Sequence, residues 1–197
     1  MKLQRLSAIL LLSVPLLVGS TRQCPEDMVP LRGGGCIDRY EWPNRRGELP
    51  HLALSGLPVG NEHGFDAKGL CESVGKHVCT ANEWVSACLA AAPPASLCNT
   101  SKPWIRPDER KIAERDADEL ARLDQRVPSG SMGGCVSQGG VYDLIGNVEE
   151  WVQCPGEGVQ DWCLAGRFWS EYRGCTQLVK NHSPRWWYYE TGTRCCL

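Results

Sequence analysis

Hydrophobic residues are spread unevenly along the chain, and each stretch predicts a different kind of structure. Leu6 to Val18 is an apolar run of 13 residues, preceded by Lys2 and Arg5 and followed by Gly19-Ser20. That succession is the pattern of an export signal, with cleavage expected after Ser20 and residues 1–20 removed. Broken by Pro15, the run is shorter than the ~20 residues that span a bilayer. Met28-Val-Pro-Leu and Cys36-Ile-Asp-Arg-Tyr each predict a short strand, joined by the turn Gly33-Gly34-Gly35. Ala67, Leu70, Cys71 and Val74 keep the spacing of a helix face until Gly75 ends it. Thr80 and Glu83 then form a capping box before a second helix, whose apolar positions are Trp84, Val85, Cys88 and Leu89.

The pattern weakens between Pro93 and Gly134. There Arg106 to Arg126 is a mixed-charge run with only Ile112, Leu120 and Leu123 as a thin apolar stripe, which predicts a surface insertion carrying one short helix. From Cys135 onward, glycines, aromatics and short β-like runs alternate. With no internal repeat visible, a solenoid or propeller is not expected.

Composition narrows the class. The 197 residues carry a net charge of -2, so no basic surplus supports a nucleic-acid partner. Loss of residues 1–20 removes two positive charges, leaving 19 basic and 23 acidic residues. The 12 cysteines all lie beyond the signal and lack the close pairs of a zinc site. An even number in an exported chain predicts up to six disulfides, so the expected location is secreted or periplasmic, with no membrane span after cleavage.

Three segments together resemble the formylglycine-generating enzyme, or sulfatase-modifying-factor, family. Gly75-Lys-His-Val-Cys-Thr-Ala-Asn-Glu-Trp84 is similar to that family's G-K-R-L-P-T-E-A-E-W. Gly140-Val-Tyr-Asp-Leu-Ile-Gly-Asn-Val-Glu-Glu-Trp151 resembles its G-L-Y-D-M-x-G-N-V-W-E-W, and Gly192-Thr-Arg-Cys195 its G-F-R-C. Asp38-Arg-Tyr-Glu41 resembles the opening D-x-Y-E-V-T-N, so the likeness spans residues 24–197. The resemblance implies one disulfide-rich α+β domain of C-type-lectin-like fold, with short strands, two main helices, much irregular structure and the insertion at about 93–134. It also implies the pairs Cys71–Cys195 and Cys88–Cys175. Proximity suggests Cys24–Cys36, Cys98–Cys135 and Cys154–Cys163, and Cys79–Cys196 then runs beside Cys71–Cys195.

Family enzymes oxidise a peptide cysteine with copper(I) held by two thiolates, and soft sulfur ligands suit that ion. Carried over, the two copper positions fall on Ala165 and Ser170. Copper is therefore not expected. Cys154 and Cys163 remain as an alternative catalytic pair, although they precede the corresponding turn. His51, His63, His77 and His182 show no iron-binding spacing. The resemblance associates the Gly-Asn segment with calcium, which makes Asn147 and Glu150 its candidate ligands.

Pro184-Arg-Trp-Trp-Tyr-Tyr-Glu190, with Phe168, Trp169 and Tyr172 upstream, offers a second kind of chemistry. Neighbouring residues of an extended chain point to opposite sides, so four consecutive aromatics cannot all be buried by one strand. Arg185, Trp186, Trp187, Tyr188, Tyr189 and Trp169 are thus candidates to bind a peptide, protein or glycan, or else to cover the disulfide core. The sequons Asn99-Thr-Ser and Asn181-His-Ser are candidate glycosylation sites. The expectation is an exported binding or accessory module without copper chemistry. An active oxidase with a rearranged cysteine pair and a structural envelope protein are the alternatives.

Overall fold

A computed structural model describes residues 23–52, 55–58, 66–90, 92–171 and 174–197. The expected signal segment, His63 and Tyr172 lie outside them. Strand β1 (Met28–Pro30) turns back through the glycines onto β2 (Cys36–Asp38), with Val29 opposite Ile37. Gly35 is required there: its φ is +81°, and an added Cβ would stand 2.9 Å from the Leu197 carbonyl oxygen. Strand β3 (His77–Val78) and the terminal pair Cys195–Cys196, which is β7, complete a four-stranded sheet of order β1-β2-β7-β3.

A second sheet has the order β5-β4-β6. Its central strand β4 (Glu149–Gln153) pairs antiparallel with β5 (Trp162–Ala165) and parallel with β6 (Thr191–Thr193). One residue, Arg194, separates β6 in the second sheet from β7 in the first. The chain thus passes from one sheet to the other across a single residue, and the Gln153 amide of β4 also donates to the Cys79 carbonyl just beyond β3.

Helix α1 (Ala67–Glu72) starts where Asp66 accepts a hydrogen bond from the Gly69 amide at 2.7 Å. It ends earlier than its apolar spacing predicts. Val74 lies beyond the last turn and is 50% exposed. Helix α2 (Ala81–Leu89) carries the expected Thr80–Glu83 capping box. Its buried face is Trp84, Ala87 and Cys88, whereas Leu89 is 59% exposed and Val85 only half-buried. A helix of nine residues presents one narrow stripe, and here it is centred one position earlier than expected.

The insertion holds two short α-helices, not one, besides a single 3-10 turn at Ala95–Leu97. Helices α3 (Glu109–Ala113) and α4 (Ala117–Leu123) are capped by Asp108 and Asp116, and Arg115 takes a left-handed φ of 56° between them. Nor is the segment purely superficial. Ile112 and Leu123 are buried against Phe168, Trp169, Tyr189 and Val148.

Six disulfides place each cysteine beside the partner expected for it: Cys24–Cys36, Cys71–Cys195, Cys79–Cys196, Cys88–Cys175, Cys98–Cys135 and Cys154–Cys163. Cys71–Cys195 spans 124 residues and Cys79–Cys196 spans 117, and closing loops of that length stabilises by about 4–5 kcal/mol each in the chain-entropy account. Both bonds tie β7 to the α1–β3 region.

Gly146 tests the tight approach of the insertion to the core. Its φ is +77°, and a Cβ there would lie 2.2 Å from the Asn99 carbonyl oxygen. Gly146→Ala is expected to lower the unfolding free energy by more than the ~1–2 kcal/mol of the left-handed conformation alone. Urea denaturation measures this, and an unchanged midpoint would contradict the packing described.

Candidate functional site

The aromatic segment enters β6 through a turn closed by the Trp186 amide on the Ser183 carbonyl at 2.8 Å. Pro184 is buried, and its carbonyl accepts the Leu57 amide. These anchors fix the following rings. His182 stacks on Trp186 with centroids 3.8 Å apart, and Trp186 stacks on Tyr188 at 5.2 Å. Trp186 also meets Trp151 edge to face. The Trp186 indole is therefore held by two stacked rings and one edge-on ring, and it remains half-buried.

The remaining rings divide by depth. Trp187 is half-buried, with the Arg115 guanidinium 4.9 Å from its ring centre. The Tyr188 hydroxyl donates to Glu109 of α3 at 2.8 Å, and Arg185 is exposed. Tyr189 and Trp169 correct the sequence expectation: both are buried, packed on each other and on Phe168, and cannot touch a ligand at the surface. The surface part of the site is thus His182, Arg185, Trp186, Trp187 and Tyr188. Every other ring of the segment serves as its footing.

Beneath this surface lies a cluster of buried charge. Glu149 is paired with Arg167 at 3.0 Å, and Arg167 also contacts Glu171. Burial, and then the charge of Glu149, push the Glu190 carboxyl up to about 8. Burial and the nearby Arg167 push His182 below its ordinary value, which favours a neutral imidazole in the stack. Tyr188 and Tyr189 are raised, chiefly by burial, and stay protonated hydrogen-bond donors.

Asn147 and Glu150, the candidate calcium ligands, are fully engaged within the protein. Asn147 takes a left-handed φ of 61°; its Oδ1 accepts from Asn99 and from the Val127 amide, and its Nδ2 donates to Glu41 at 2.7 Å and to the Val127 carbonyl. Glu150 is held by the Arg194 guanidinium at 2.8 Å and accepts from the Trp84 indole at 2.6 Å. A carboxylate neutralised by a guanidinium is a poor ligand for a hard cation, so this pair does not fit calcium as it stands. Asn99 of the first sequon is likewise buried and hydrogen-bonded, whereas Asn181 of the second is exposed.

Cys154 and Cys163 are brought together, but as one buried disulfide; no cysteine among the described residues is free. Ala165 is buried on β5, and Ser170 is half-buried beyond it. Two residues stand out in the structure without a signal in the sequence. Arg194 was visible only as part of Gly-Thr-Arg-Cys, and its burial has no local signal. Trp104, 60% exposed, lies in the segment expected to be a surface insertion with one short helix.

No family profile and no curated protein matches the chain. Among solved structures, it is similar to the Major Tropism Determinant P3c variant (13% identity, TM-score 0.53), the U1 variant (14%, 0.52) and the I1 variant (15%, 0.54). Each likeness covers 88% of this chain and 52% of the other, so the chain spans about half the length of these proteins. At such identity the similarity shows the fold alone, which is C-type-lectin-like, mixed α+β and here disulfide-rich.

The buried acids set a pH dependence. Glu190 is raised to about 8 and Asp143 to about 6, both chiefly by burial, and Glu41 is raised by burial and by the charges of Asp143 and Glu150. The folded state therefore holds protons that the unfolded chain releases near its ordinary carboxylate values. Their stabilising effect is complete below those values and is lost as pH rises through the folded ones. The melting temperature is expected to fall between pH 5 and pH 8, and Glu190→Gln is expected to flatten that fall. A melting temperature that rises across this interval, or an unchanged slope in the variant, would contradict the assignment.

Proposed function

We propose that the chain is an exported module of the formylglycine-generating-enzyme type that performs no copper chemistry and binds a peptide, protein or glycan through residues 182–188. One observation carries the reading: half-buried His182, Trp186, Trp187 and Tyr188 stand beside exposed Arg185, each ring held by packing or a hydrogen bond. Tryptophan, tyrosine and arginine dominate binding hot spots. A surface already rigid loses little side-chain entropy on binding.

Three further observations support it. Ala165 stands where the resemblance requires a copper thiolate, and Cys154 and Cys163 are joined to each other. Six disulfides suit an oxidising compartment. The C-type-lectin-like neighbours are titled tropism determinants, a description of target choice and not of catalysis.

A combined glycan and peptide array tests the proposal. Binding is expected for the wild type and a loss of roughly tenfold or more in Arg185→Ala and Trp187→Ala, since a hot spot of ~1.4 kcal/mol corresponds to that factor. Arg185 is exposed, so its variant should fold normally and separates recognition from stability. Unchanged binding in both variants would contradict the site. Conversion of a Cys-x-Pro-x-Arg peptide to the aldehyde by copper-loaded protein would contradict the module reading.

A further inference from the structure

The most exposed aromatic residue of the described chain lies outside that surface. Trp104 is 60% exposed and sits in Lys102-Pro-Trp-Ile-Arg-Pro107, a stretch with no helix or strand. Its conformation is nonetheless set. A residue before proline is driven into extended or polyproline geometry, and both Lys102 and Arg106 precede one. The backbone is pinned at four points: the Lys102 amide donates to the Trp169 carbonyl at 2.8 Å, Gln125 donates to the Pro103 carbonyl at 3.0 Å, Arg122 to the Arg106 carbonyl at 2.9 Å, and Asp108 donates its amide to Glu119 at 2.8 Å. Ile105 packs inward on the Trp169 and Tyr189 cluster, while Trp104 and Arg106 on either side of it are exposed.

The result is a fixed strip of cation, indole and cation. Lys102 and Arg106 are four residues apart, about 13 Å in extended chain. Three neighbouring cations of the insertion have carboxylate partners: Arg110 pairs with Glu114, Arg122 with Glu119, and Arg126 with Asp124. Among the described residues, the side chains of Lys102 and Arg106 have none. An apolar ring face left in water between two uncompensated charges fits a ligand that is flat and apolar on one side and anionic at intervals.

We infer that Lys102, Trp104 and Arg106 form a binding strip for an acidic polysaccharide, one sugar ring lying on the indole and the sulfate or carboxylate groups of flanking sugars meeting the two cations. This class is favoured over a nucleic-acid strand by the six disulfides, which suit an oxidising compartment outside the cytosol, where nucleic acid is not the expected polyanion. A lipid surface is served less well, because a single indole buries little area in the interface.

Tryptophan fluorescence and calorimetry with dextran sulfate as the probe test the strip, with neutral dextran, a single-stranded oligodeoxynucleotide and phosphatidylserine-containing vesicles as the comparison arms. Dextran sulfate is expected to bind in a salt-dependent manner, at least tenfold more weakly to Trp104→Ala and to the Lys102→Ala/Arg106→Ala double variant. These side chains are exposed, so unchanged melting temperatures should accompany the loss. Arg185→Ala should leave this binding intact, which separates the strip from the aromatic site above. Equal binding by wild type and both strip variants, no binding of dextran sulfate, or stronger binding of the oligonucleotide or vesicles would overturn the inference.

Discussion

A single buried guanidinium holds the two sheets in register. Arg194 is completely buried at the crossing from β6 to β7, and its donors are distributed among three elements. Nε and Nη2 reach Glu150 on β4, Nη1 donates to the Asp38 carbonyl on β2 at 3.0 Å, and Nη2 also donates to the Tyr142 carbonyl at 2.8 Å. Burying a charge costs several kcal/mol unless its partner and its remaining hydrogen bonds are all supplied. Here they are supplied by both sheets at once, so neither sheet can shift without stranding the charge. Removal of either partner would leave the other charged group buried and unpaired.

The rest of the molecule is arranged around that fixed point. Trp84 donates to the same Glu150 and so couples α2 to β4. The Cys195 amide donates to Asp38, and Cys195 and Cys196 bond to Cys71 and Cys79 immediately beyond. On the other side, Glu41 accepts from Asn147 and Ser129, and Asn147 fixes the loop from Asn99 to Val127. The aromatic segment before β6 inherits its position from this frame, because Glu190 and Thr191 lie only four and three residues from Arg194. Disulfides limit how far the chain can unfold, while the ion pair specifies which arrangement it folds to.

Local signals in the sequence were legible where they are short in range. The Thr80 capping box and the glycine turn depend on neighbours within a few residues, and the structure holds both; Gly75 is left-handed as a helix stop requires, although α1 itself already ends at Glu72. The insertion was legible in part: Asp108 and Asp116 are ordinary N-caps, but their two short helices carry too few apolar positions to register as separate elements. Burial of charge left no trace. Glu41, Glu149, Glu150, Glu190 and Arg194 read as surface residues by type, and only partners far along the chain explain their depth. The same limit applies to the aromatic site. Four consecutive rings showed that some must face outward, but the inward turn of Tyr189 and Trp169 depends on Ile112 and Leu123, which come from the insertion.

The claim that Arg194 and Glu150 act as one unit is tested most directly by a double-mutant cycle in urea, using Arg194→Met, Glu150→Gln and the two combined. Each single change is expected to cost about 3–5 kcal/mol, because it leaves a buried charge without its partner. The combined variant should lose little more than one of the singles, giving a coupling of at least about 2 kcal/mol. Losses that simply add would contradict the account, since they would mean that the guanidinium and the carboxylate contribute to the fold independently.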